Sequence, residues 1–119
     1  MRRLALLAAL SLAPAAALAS EADVVGVEAR SSGGGWSFDV TVRHADTGWE
    51  HYADAWRVVG PDGVVYGTRA LVHPHVNKQP FTRSLSGVMI PEGVATVTVE
   101  AHDSVHEWGG EVVEVVLPR

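Results

Sequence analysis

The 119 residues contain no cysteine. Disulfides, thiolate nucleophiles, cysteine-type zinc sites and iron–sulfur clusters are excluded together. Basic residues are scarce: 9 Lys+Arg stand against 14 Asp+Glu, a formal net charge of −5. That balance argues against nucleic acid as a partner, because phosphate recognition needs a basic patch. Beyond the first residue the only methionine is Met89, so the Met-rich motifs of soft Cu(I) carriers are missing. Most of the chain also lacks a helical period, an internal repeat and a low-complexity linker. Its length fits one small domain.

The one long apolar run lies at the N-terminus. Arg2 and Arg3 precede Leu4 to Leu12, then Pro14 and an alanine-rich stretch ending in Ala17-Leu18-Ala19. This pattern reads as a secretory signal peptide over residues 1–19, cut after Ala19. The run is shorter than the roughly 20 residues a spanning helix needs, so no membrane span is expected after cleavage. The mature chain, residues 20–119, is expected in the periplasm.

Beyond the leader the chain alternates with period two. Trp36, Phe38, Val40 and Val42 are separated by Ser37, Asp39 and Thr41; Ala95, Val97, Val99 and Ala101 alternate with Thr96, Thr98 and Glu100. Val113, Val115 and Leu117 form a third apolar row, and Ala53 to Val59 puts Trp56 and Val58 on one face. Weaker strands are expected over 23–29, 63–70 and 83–90. Turn signals separate them at Ser31 to Gly35, Gly60 to Gly63, Pro91 to Gly93 and Gly109-Gly110. Seven short strands predict an all-β, seven-stranded antiparallel immunoglobulin-like sandwich, with Trp56 as the buried tryptophan of the third strand.

Strand direction sorts the connections. In an up-and-down run, 31–35, 60–63 and 91–93 fall at one end. The longer connections 44–51, 72–81 and 102–110 fall at the other. All six histidines belong to this second set: His44, His51, His73, His75, His102 and His106. Imidazole is the commonest metal ligand and suits zinc, copper, iron and nickel. The expected ligands rank as His51, His106, His44, then His73 and His75. His102 comes last, because it continues the outward row of Thr98 and Glu100. Pro74 stiffens the pair His73 and His75, and on extended chain their rings point the same way. Asp46, Glu50, Asp103 and Glu107 are nearby oxygen donors, able to orient a ligating ring or bind directly.

Each of these features has a plainer reading. Loop histidines often bond only backbone carbonyls. Phe81 and Tyr52 read as apolar cover for the open end of the sandwich, whereas Trp49 and Trp108 read either as cover or as contacts for a sugar or a partner. Arg83 is positioned to pair with Glu50 or Asp103.

Two loops carry a family resemblance. His44…Glu50-His51-Tyr52 and Asp103-Ser104-Val105-His106-Glu107-Trp108 resemble the iron loops of superoxide reductases, the neelaredoxin/desulfoferrodoxin family. Those proteins are immunoglobulin-like and hold iron with four histidines and one cysteine. The resemblance implies that His44, His51 and His106 are ligands, with Asp103 standing where the family has its cysteine. Glu107 replaces the glycine after the last histidine, Trp108 comes one position early, and no counterpart of the N-terminal ligand histidine stands near Glu28. As a whole the chain also resembles small exported bacterial proteins of an uncharacterised immunoglobulin-like family.

The sequence therefore supports a periplasmic metal-binding protein, with copper or iron ahead of zinc. The competing reading is a metal-free module that meets a periplasmic partner protein or a glycan through the same loops. Catalysis has little support. No serine sits in a nucleophile setting, so an enzyme here would be one of metal-dependent redox chemistry.

Overall fold

Period-two alternation becomes seven antiparallel strands in two sheets. They are β1 (Asp23–Ser32), β2 (Gly35–Arg43), β3 (Ala53–Val59), β4 (Val65–Ala70), β5 (Phe81–Val88), β6 (Thr96–Asp103) and β7 (Glu107–Val116). One sheet has the order β1-β2-β5 and the other β4-β3-β6-β7. The chain crosses between them after β2, β4 and β5, as in an immunoglobulin-like sandwich. This computed structural model describes residues 21–119, so the signal peptide expected over 1–19 lies outside the described residues. Among the described residues, no helix is long and apolar enough to cross a membrane.

The inner faces meet in one apolar layer. Phe38, Val40, Val42, Trp56, Val58 and Val99 are all fully buried. Each contributes about 1.5–3 kcal/mol by leaving water, which is how a chain without covalent staples holds together. Trp56 occupies its expected place at the centre of β3.

Two connections differ from the expected ones. Ser31 and Ser32 stay in β1, and the reversal is made by Gly33 and Gly34 alone, at φ 59° and 89°. Two consecutive left-handed residues give the tight hairpin turn that matches strand twist. Opposite, the connection expected over 102–110 shrinks to residues 104–106, because β6 runs to Asp103 and β7 starts at Glu107. Gly109-Gly110 is therefore not a turn but an irregularity inside β7, where the register with β6 shifts. The amides freed there are satisfied by residues at the entry to β1. Gly110 N–H donates to Glu21 Oε1 at 3.1 Å and Glu111 N–H to Asp23 Oδ1 at 2.8 Å. Alternation of direction places 44–52, 71–80 and 104–106 at one pole.

Candidate functional site

Three inner rows run out of the apolar core at that pole. The β2 row Phe38, Val40, Val42 continues to His44; His51 precedes Ala53 by two residues; the β6 row Val97, Val99, Ala101 ends on Asp103. Alternation alone carries these side chains inward. The side chains of His44 and Asp103 are fully buried, and that of His51 is 21% exposed. One ligating atom from each of the three lies within 4.8 Å of the others. The rings of His44 and His51 meet edge to face, with centroids 4.7 Å apart.

Asp103 is the hub. Its Oδ2 accepts from His51 Nε2 at 2.8 Å, His106 Nδ1 at 3.1 Å, Val105 N–H at 3.1 Å and His106 N–H at 3.0 Å. Its Oδ1 is buried and has no hydrogen-bond partner among the described residues. Burial pushes the carboxyl up, but the His106 and Val105 amides and then the two ring donors outweigh it. The pKa lies below the ordinary 3.8, so a charged carboxylate with one unfilled oxygen sits under the pole. The short turn that supplies those amides ends on Glu107 at φ 67°, a left-handed conformation that costs a non-glycine residue about 1–2 kcal/mol.

Asp46 holds His44. His44 Nδ1 donates to Asp46 Oδ1 at 2.6 Å, which fixes the tautomer whose lone pair is on Nε2. Asp46 also accepts from Ala53 N–H at 3.0 Å and from His75 N–H at 2.7 Å. Gln79 adds a second tie: its Oε1 accepts from His44 N–H at 3.0 Å and its Nε2 donates to the His75 carbonyl at 2.9 Å.

The other expected residues are distributed around this cluster. His106 stands beside it, its ring 5.0 Å from that of His51 and its side chain 35% exposed. His73 is exposed, with its ring 6.4 Å from Trp49. The ring of His75 stacks on Phe81 at 3.9 Å, and its Nε2 accepts from Arg83 at 2.9 Å. The chain bends at His73, so the two rings of the His-Pro-His stretch do not point the same way. Arg83 meets His75 rather than the expected Glu50 or Asp103, because β5 starts at Phe81 and carries it to the β4–β5 loop. Glu50 and Glu107 are exposed at the rim. Trp49 is 65% exposed and touches Tyr52 edge to face. Trp108 is not in a loop: it lies on the outer face of its sheet, under the Arg57 guanidinium at 3.7 Å and against His102. His102 pairs there with Asp54.

No family model matches the chain, and no solved structure matches it. It is similar to a protein of Halomicrobium mukohataei named "Putative lipoprotein", with 43% identity over 96 residues. The match covers 80% of this chain and 47% of that protein, so the chain spans about half the length of the curated relative it matches.

Chemically, the cluster offers two imidazoles and a carboxylate from three different segments. Such a set suits a first-row divalent cation and has no thiolate to select a soft one. The unfilled Oδ1 of Asp103 fits a cation better than it fits a purely structural role, since a buried acceptor without a donor is costly. The sequence marks Gln79 as a donor in the long loop and as a contact for a partner or glycan; its bonds to His44 and His75 carry no sequence signal. Asp103 had a stronger signal, since it is the next inward position after Val97, Val99 and Ala101.

Proposed function

We propose that the protein is an exported, periplasmic metal-binding protein whose site is His44, His51 and Asp103. The observation that carries the reading is the buried Asp103 carboxylate, with Oδ1 unpartnered among the described residues, beside two imidazoles, one ligating atom of each of the three lying within 4.8 Å of the others. His44 would use Nε2, since Nδ1 is held by Asp46. On His51, the proton that Nε2 shares with Asp103 would move to Nδ1 when Nε2 takes a cation, a change of tautomer in a neutral ring. Copper or iron ranks ahead of zinc. A bound cation supplies a Lewis-acid or one-electron centre; the residues hold it and exclude water from its inner side.

Two further points support the reading. The loop resemblance to superoxide reductases rests on His44, His51, His106 and Asp103, and these side chains are joined in a row of contacts, His44 to His51, His51 to Asp103 and Asp103 to His106. Export agrees with the leader pattern and with the lipoprotein name of the relative. The test is thermal melting of the purified protein with Cu(II), Fe(II) and Zn(II). A binder gains about 2.7 kcal/mol at a hundredfold excess of metal over Kd. No shift with any of the three, or a shift that survives His51→Ala, removes the proposal.

The second reading is a metal-free interaction module. It is favoured by one observation: Trp49, Val72, Val76 and Val105 are all more than half exposed, and all lie in the three loops of this pole. It predicts partner capture that resists chelators and is lost on Trp49→Ala.

A further inference from the structure

We infer that the metal site and the β4–β5 loop form one linked unit, with Asp46 and Gln79 as the positioning residues that join them. The inference rests on the metal-binding reading above and adds a regulation to it: occupancy of the site sets the order of residues 71–80, and the loop in turn sets metal affinity.

The link is built from two side chains that each bond both parts. Asp46 takes the Nδ1 proton of His44 on Oδ1 and the amide of His75 on Oδ2. Gln79 accepts the amide of His44 and donates to the carbonyl of His75. A candidate ligand and the middle of the loop are thus bridged twice, through four hydrogen bonds of 2.6–3.0 Å. The side chains of His44 and Asp46 are fully buried, so the bond between them is shielded from water. On its far side the loop is held by the stack of His75 on Phe81 and the Arg83 contact, and at its start by the buried Leu71, whose N–H donates to the Asp54 carbonyl. Residues 72–80 form no strand, and Val72, His73, Val76, Asn77 and Lys78 are exposed. Such a segment opens locally at low cost.

The coupling follows from the geometry of His44. A cation on Nε2 strengthens the Nδ1 bond to Asp46 and holds the ring against rotation. Asp46, once fixed, holds the His75 amide. By linkage the effect is reciprocal: whatever loosens the loop removes two of the bonds that position Asp46 and His44 and weakens the metal. The consequence lies on the surface. Val72 and Val76, exposed beside Trp49, belong to the segment whose order changes, so the apolar rim of the pole is presented more firmly when metal is bound.

The experiment uses the full chain, with Zn(II) as a silent metal and hydrogen exchange as the readout. Two amides report directly, those of His44 and His75, because each donates to a linking side chain. Zinc should slow exchange at His75 and across 71–80. Gln79→Ala should weaken zinc by about tenfold, the usual effect of removing a residue that orients a ligand. It should also weaken the zinc-dependent slowing in the loop, leaving the part that Asp46 carries to the His75 amide. Gln79→Glu keeps the acceptor for His44 but loses the donor to His75, and should restore most of the affinity without restoring the lost part of the slowing. Leu85→Ala serves as the comparison: it lowers stability in the core of β5 and should leave zinc affinity unchanged. Zinc that binds without slowing loop exchange overturns the inference while leaving the metal site standing. So does Gln79→Ala that binds as tightly as the parent. Absence of binding by Zn(II), Cu(II) and Fe(II) alike in the parent overturns both.

Discussion

His51 Nε2 donates to Asp103 Oδ2 at 2.8 Å, joining the β2–β3 loop to the end of β6, 52 residues away in sequence. The bond closes the top of the sandwich core, and it is where a proton and a cation would compete. Replacing Asp103 with Ala leaves two ring N–H groups and two amides without their acceptor. The expected loss is about 2–3 kcal/mol of stability, read by urea denaturation of the metal-free protein. Asp103→Asn, which keeps an oxygen for the amides, should cost less. An alanine variant as stable as the parent would show that the hub holds nothing.

Acid should act through the same carboxylate. Its pKa is lowered in the folded state, so its contribution is complete above the unfolded value of 3.8 and is lost as pH falls through the folded one. Melting temperature plotted against pH should flatten on the acid side in Asp103→Asn. Parallel curves below pH 4 for parent and variant would contradict this assignment.

His75 predicts a separate window. Burial and then the Arg83 guanidinium hold its imidazole below the ordinary 6.5, against Asp46 and the His73 carbonyl. The unfolded chain takes up a proton first. Stability is therefore full above 6.5 and declines as pH falls from there towards the folded value. His75→Gln, neutral throughout, should remove that part of the slope between pH 7 and 5.

Gly110 tests the junction of β1 with β7. It sits at φ 71°, and a Cβ there would collide with the Ala22 carbonyl and crowd Asp23. Gly110→Ala should cost more than the roughly 1 kcal/mol of left-handed strain, because backbone must move as well. Faster exchange at Glu111 N–H, which donates to Asp23, would locate the damage.

Much of this was legible in the residues. The rows through Phe38 and Val99 give the strands, and the odd-even walk puts the histidine loops at one pole because chain direction is fixed by strand count. The features that local pattern left open have physical causes. β7 begins at Glu107 because Glu21 and Asp23 accept the amides of a glycine irregularity, a contact 88 residues distant that no local pattern records. The bend at His73 separates two rings that an extended chain would align. Asp103 reads as a loop carboxylate until β6 is seen to continue to it. Its burial is then the result of the same alternation that buries Val97 and Val99. Gln79 acts only through tertiary hydrogen bonds, which composition does not carry.

The most direct measurement is calorimetric titration of the purified protein with Cu(II) and Zn(II). One metal per chain should bind, and binding should be lost in His44→Ala, His51→Ala and Asp103→Asn while His73→Ala binds as the parent does. An unaltered isotherm in the three variants, or no binding by the parent, would contradict the account.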